Sequence, residues 1–225
     1  MLPDSLFAQE NSKGLLELPA AVPWNQVEFL YLDPPWHFRV RSKKGLSRSA
    51  ENHYPTLGMK DIAALPVYDL LAKNAWAWCW TTEPLLEETY EIVKKWGLKV
   101  KTFALTWVKT TKTGKWHVGT GYYTRANPEM CLFITKGKGL RRQSKAVREL
   151  LIAPLGKHSA KPYEAYSRIM RITEGEGWLE KNSYQWDHLY LELFARNYFA
   201  GWLSAGLDLP APGMGQDIRN VLSRG

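Results

Sequence analysis

Cysteine is scarce in this chain of 225 residues, with only Cys79 and Cys131. Each lies in an apolar run, and they form neither a Cys-x-x-Cys pair nor a zinc spacing. Both are therefore expected to be buried and reduced. Histidine is scarce too: His37, His53, His117, His158 and His188 are scattered, with no pair at helical spacing to suggest a metal site. No apolar run approaches the roughly 20 residues of a membrane span. The N-terminus carries acids and lacks a basic, then apolar, leader. An intracellular, cytoplasmic protein with no membrane partner is expected. No internal repeat or low-complexity tract occurs, and no Gly-x-Gly phosphate loop precedes Asp33. Gly137-Lys138-Gly139 is an isolated basic turn.

What the chain has in excess is positive charge. The formal net charge is +8 and the pI about 9.4. That balance favours an anionic partner, of which nucleic acid is the simplest, although net charge alone equally fits a merely soluble basic protein. The length fits one domain over residues 1–225, with 1–20 and 211–225 peripheral or partly ordered.

Periodicity and punctuation divide the chain into alternating elements. Val27–Leu32 reads as a strand, as do Ala75–Thr81, Phe103–Val108, Glu129–Thr135, Glu149–Ala153 and His188–Phe194, with a short final strand near Trp202 and Leu203. Leu15–Leu18 has the composition of another short strand. The strand from Ala75 places Trp76, Trp78 and Trp80 on one face, a stripe that reads first as core packing. Leu57–Leu65 reads as a short helix ended by Pro66. Pro84–Trp96 reads as a longer one, with Thr82 as N-cap and Gly97 just past the end, and Pro162–Ile172 as another. Residues 175–187 read as an irregular insertion. Strands alternating with helices predict an α/β fold with a largely parallel sheet. Ligands in such sheets bind beyond the strands' carboxyl ends, and both Asp33 and the residues after Phe194 occupy such positions.

The chemistry concentrates in Asp33-Pro34-Pro35-Trp36, directly after the first strand. The Asp33 carboxylate can accept one N–H of a nucleobase amine. The carbonyl of Pro34, whose φ is fixed, can accept the other. Trp36 can stack on the base, a contact worth about 1–3 kcal/mol. The plainer reading is a proline turn after a strand with a partly buried tryptophan.

Further pieces follow in order: Tyr54-Pro55-Thr56-Leu57, Pro66-Val67, Trp107-Val108-Lys109, Gly121-Tyr122 with Arg125 and Glu129, Lys161-Pro162, then Leu191-Glu192-Leu193-Phe194-Ala195-Arg196 and Gly201-Trp202. In this order, from about Leu30 to Leu207, the chain resembles the MT-A70 family of adenine-N6 methyltransferases. The resemblance implies a Rossmann-like, S-adenosylmethionine-dependent methyltransferase sheet with flanking helices and permuted motif order. It assigns Asp33, Pro34, Pro35 and Trp36 to the catalytic clamp, with Asp33 also at the methyl-donor site. Tyr54 resembles the aromatic lining the target-base pocket. Lys161 resembles a lysine that pairs with the donor's carboxylate, and Phe194 and Arg196 fall where its ribose and adenine are expected. Arg125 and Glu129 fall on the substrate side. The missing early glycine loop agrees with the family, whose donor site is built from later segments. Gly206-Leu207-Asp208 departs from it, since Leu207 cannot hydrogen-bond a ribose.

Basic residues supply the surface for nucleic acid: Arg39, Arg41, Lys43, Lys44 and Arg48 after the clamp, Lys109, Lys112 and Lys115 before Gly121, and Lys136, Lys138, Arg141, Arg142 and Lys145 further on. The target adenine must lie outside the base stack. The expected activity is methyl transfer to adenine N6 in DNA, with S-adenosylmethionine as cofactor, no metal, and a homodimer as one way to cover a duplex. The alternatives are an RNA adenine-N6 methyltransferase and an inactive nucleic-acid-binding partner subunit.

Overall fold

The computed structural model describes residues 24–36, 57–121, 123–156, 160–180, 188–196, 199 and 202–205. The strands are β1 (Val27–Leu32), β2 (Leu71–Thr81), β3 (Lys99–Thr110), β4 (Glu129–Lys136), β5 (Leu150–Pro154), β6 (Tyr190–Leu193) and β7 (Leu203–Ala205). The α-helices are α1 (Met59–Ala64), α2 (Val67–Leu70), α3 (Leu86–Lys95) and α4 (Tyr163–Glu174). The strands form one sheet in the order β5-β3-β4-β2-β1-β6-β7. The pairs β1–β2, β1–β6, β6–β7 and β3–β5 are parallel, whereas β4 runs antiparallel to both β2 and β3. The sheet is thus largely parallel, as the alternation of elements predicts, with one reversed strand in its middle.

Each face of the sheet has its own core. On β2, Ala75, Ala77 and Cys79 point one way and Trp76, Trp78 and Trp80 the other. The small residues leave room for α1 and α3, which close that face with Ile62, Ile92, Val93 and Trp96. The tryptophans pack with Phe29 and Tyr31 against Ala165, Ile169 and Met170 of α4. The stripe is core, as its simplest reading held. Cys79 and Cys131 are free and buried, and burial pushes both thiols up.

Local detail differs from expectation at the start of α3. A 3-10 turn, Glu83–Leu85, precedes α3, and the Thr82 side chain makes no cap bond to it. Thr89 instead donates from inside the helix to the Leu85 carbonyl at 2.7 Å. Gly97 does end the helix, at φ +73°, a conformation that costs a residue with a Cβ. The Leu15–Leu18 strand lies outside the described residues.

Candidate active site

The carboxyl edge of the sheet gathers the polar residues. Asp33 leaves the end of β1, and the ladder pairs Leu32 with Leu193, so Phe194 leaves β6 beside it. Glu129 opens β4, paired with Trp107 near the end of β3. It reaches this edge because β4 is reversed. Lys161 stands just before α4. Its Nζ lies 2.7 Å from Asp33 Oδ1 and 3.1 Å from Glu129 Oε2, and Lys109 Nζ lies 2.6 Å from Glu129 Oε1. Two carboxylates and two ammoniums therefore alternate along one chain of contacts: Asp33, Lys161, Glu129, Lys109.

This arrangement fixes the charge states at its centre. Burial alone would raise the Glu129 carboxyl, but Lys161 and Lys109 outweigh it and hold the group at about 2. Burial would likewise lower the Lys161 ammonium, and Asp33 and Glu129 outweigh it and push it up. Every charge in the chain of contacts faces an opposite one and is hydrogen-bonded to it, which is the condition under which buried charge is tolerated. The Lys161 ammonium also lies 5.3 Å from the centre of the Trp80 ring, a cation–π distance.

Aromatic residues set the floor. Trp36 Nε1 donates to the Trp80 carbonyl at 3.0 Å, and Trp80 Nε1 donates to the Tyr31 hydroxyl at 2.6 Å. Trp36 is only 5% exposed and belongs to the core under α1 and α3. There its ring packs against the core and anchors the end of the proline turn. The clamp itself is tightly bonded. Trp36 N–H donates to the Pro34 carbonyl at 2.8 Å, and Leu57 N–H donates to the Pro35 carbonyl at 3.0 Å. Pro34's carbonyl thus keeps one lone pair uncommitted among the described residues. The bridge between Trp36 and Leu57 brings residues 37–56 back to the point they left.

Beneath the edge lies a group that sequence reasoning missed. Glu192, in the middle of β6, is buried and accepts from the Tyr166 hydroxyl at 2.6 Å. Burial raises its carboxyl to about 8, and the nearby Asp33 charge adds to the shift. Its Oε2 and the Ser204 hydroxyl, neighbours across the β6–β7 ladder, are buried without a hydrogen-bond partner among the described residues. The signal was available: an acid inside a short apolar strand is rarely buried without a purpose. Phe194 adds a second irregularity, with φ at +64°. That is a strained conformation for an aromatic residue, worth about 1–3 kcal/mol, and such strain clusters at functional sites.

The remaining expected residues fall into three groups. Arg196 sits partly buried on the turn after β6. Arg125 is exposed on the loop before β4 and does not join the charged chain. Tyr54, Arg41, Lys43, Lys44 and Leu207 lie outside the described residues. Among the described residues, no group of three histidines, cysteines or carboxylates could hold a metal, and no helix is long and apolar enough to cross a membrane.

A mostly parallel sheet with one reversed strand, and an acidic proline turn on its carboxyl edge, is the architecture of a Rossmann-like methyltransferase. The MT-A70 family model matches residues 28–208, and the chain belongs to that family of adenine-N6 methyltransferases. It is similar to the type II methyltransferase M.MunI of a Mycoplasma species, at 31% identity over 90% of this chain and 87% of that protein. It is also similar to the N6-methyladenosine RNA methyltransferase MTA1 of Cryphonectria parasitica, at 25% identity over 80% of this chain and 50% of that protein. A third relative is an N(6)-adenosine-methyltransferase MT-A70-like protein of Drosophila melanogaster, at 26% identity over 79% of this chain and 26% of that protein. The chain thus spans most of the bacterial relative and half or less of the other two.

Proposed function

We propose that this chain, acting as a single domain, transfers a methyl group from S-adenosylmethionine to the N6 amine of adenine in DNA. The observation that carries the reading is Asp33, placed at the end of β1 beside the strained Phe194 turn and held at 2.7 Å by the Lys161 ammonium. The similarity to M.MunI across nearly the full length of both proteins supports DNA. The RNA alternative rests on the relative named for RNA, of which the chain spans half.

The residues present fit the donor. Asp33 offers a carboxylate to its cationic part, Lys161 an ammonium to its carboxylate, and Phe194 and Arg196 line the adjoining turn. The unpartnered Glu192 Oε2 and Ser204 hydroxyl leave hydrogen-bonding capacity beneath that turn. S-adenosylmethionine, when bound, supplies an electrophilic methyl group. Asp33 accepts one N–H of the adenine amine, and the free lone pair of the Pro34 carbonyl accepts the second. Both acceptors stabilise the positive charge that grows on nitrogen, and loss of one of the two held N–H protons to solvent then leaves the neutral methylated amine. Lys161 bonds Asp33 Oδ1 and so fixes the orientation of the carboxylate. Glu129, anchored by Lys109, fixes Lys161 in turn. Positioning and preorganised charge then account for most of the acceleration.

The test is incubation with a methyl-labelled donor and matched DNA duplex, single-stranded DNA and RNA, followed by nucleoside mass spectrometry. Labelled N6-methyladenine in DNA is expected. Faster labelling of RNA than of either DNA form would transfer the proposal to the alternative.

A further inference from the structure

We propose that the hairpin between Thr110 and Pro128 is the element that grips the substrate strand beside the target adenine, with Trp116 stacking on a neighbouring base. The inference rests on the nucleic-acid reading above and names the surface that serves it. The hairpin prolongs β3 beyond the catalytic edge. Trp116 bridges to Thr110, and the His117 N–H donates to the Lys109 carbonyl at 3.0 Å. Its base is therefore built on the residue whose ammonium ends the charged chain at Glu129.

Three features distinguish this hairpin from an ordinary surface loop. It is preformed. Asn127 accepts from the Lys109 N–H at 2.7 Å and donates to the carbonyls of Lys109 and His117 at 3.0 and 2.6 Å, tying both arms and the strand together. Gly119 N–H closes on the Ala126 carbonyl at 2.8 Å, and a Cβ on Gly121 would lie 1.9 Å from the Thr124 carbonyl oxygen, so only glycine fits that turn. Its outer surface is apolar and open from base to tip, since Trp116 is 62% exposed, Val118 64% and Tyr123 100%. Its charge has one sign: Lys112, Lys115 and Arg125 are exposed, and no carboxylate occurs from Thr111 to Pro128. The next acid, Glu129, is already matched by Lys109 and Lys161. Rigid aromatics interleaved with unopposed cations suit a polyanion carrying flat bases, because stacking and phosphate contact act together. A second copy of this chain, itself at +8, complements the apolar tip but not its charge.

Fluorescence anisotropy with a labelled DNA duplex, run without the methyl donor across a salt series, tests this directly. Trp116→Ala is expected to weaken binding about tenfold, as for other stacked bases, while Trp116→Phe stays within about twofold of the unaltered protein. Lys112→Gln with Lys115→Gln is expected to flatten the slope of log affinity against log salt by about two. Circular dichroism melting should not change, because these side chains are exposed. Trp116→Ala binding DNA as tightly as the unaltered protein would overturn the proposal. So would the same variant converting a dimer to a monomer in sedimentation, which would assign the tip to a second copy. The two readings fail separately. Hairpin-dependent binding with no methyl transfer removes the reaction and keeps the grip, whereas methyl transfer with an unchanged KM for DNA in every hairpin variant does the reverse.

Discussion

At the scale of single residues, the site is a set of charges that cannot be changed one at a time without consequence. Asp33→Asn keeps the shape of the acceptor and removes its charge. It is expected to lower kcat at least about 100-fold, as for other preorganised groups acting on developing charge, and to lower the melting temperature as well, because the buried Lys161 ammonium loses one of its two partners; turnover per folded molecule within a few-fold of normal would remove Asp33 from the chemistry. Lys161→Ala is expected to weaken S-adenosylmethionine binding, measured by calorimetry, more than DNA binding, since a charged hydrogen bond is worth about 1.5–3 kcal/mol. Glu192 gives a pH prediction of the opposite kind. Its folded carboxyl holds its proton to about 8, whereas an unfolded glutamate releases it near about 4.3. A raised value means that the folded state is penalised as pH rises between those two limits, and not below them. Glu192→Gln removes the titration while preserving an acceptor for Tyr166. The melting temperature of the variant relative to the unaltered protein should therefore climb from about pH 4.5 to about pH 8 and level off on either side. A difference that stays flat with pH would mean that Glu192 is ionised in the folded protein.

At the scale of elements, the direction of β4 decides which charges face the site. β4 runs from Glu129 at the carboxyl edge of the sheet to Lys136, roughly 23 Å away at about 3.3 Å per residue. The cluster that begins at Lys136 therefore starts at the opposite edge, where Lys136 pairs with Ala75 near the start of β2. Lys136 is not available to phosphate: its Nζ donates to the carbonyls of Tyr68 and Leu71, each at 2.7 Å, and covers the Tyr68 ring. Lys136→Met is expected to lower stability by about 1–3 kcal/mol, because the buried Leu71 carbonyl and the part-buried Tyr68 carbonyl lose a donor, and to leave DNA affinity unchanged. A loss of affinity without a loss of stability would return the cluster to the binding surface. The sequence carried the existence and type of these elements well. Alternation and β-branched or aromatic runs mark β1, β2 and β6, and Gly97 marks the end of α3. Strand direction is a long-range property that no local pattern records, so the reversal of β4 was not legible, nor was the bond between Glu129 and Lys161. Motif order singled out both Asp33 and Lys161, and the fold brings them to 2.7 Å from each other. A partly buried Trp36 was one reading of the turn, but its partners were not legible, because only the fold brings the Trp80 carbonyl and α1 to it.

At the scale of the whole molecule, a net charge of +8 has to be organised before it can act on one side. Two basic segments adjoin the carboxyl edge of the sheet: the hairpin after β3, and residues 37–56, which lie in sequence between Trp36 and Leu57, two residues joined by a bridge. The second carries Arg39, Arg41, Lys43, Lys44 and Arg48. The residues that flank it, Trp36 and Leu57, are bridged to each other a few positions after Asp33. On the proposed reading, a substrate adenine bound at Asp33 brings its own flanking phosphates to that point. Replacing Arg41, Lys43 and Lys44 together with glutamine is therefore expected to flatten the slope of log affinity against log salt by about one unit for each phosphate no longer neutralised. Affinity should fall alike for methylatable and non-methylatable duplexes, because phosphate contacts position the strand without reading its sequence. The slope also separates this segment from the hairpin's aromatic tip, since Trp116 contributes through stacking and should change affinity with little change in slope. If the triple variant keeps both its affinity and its slope, the phosphate path follows the hairpin alone, and the charge on residues 37–56 serves solubility rather than binding.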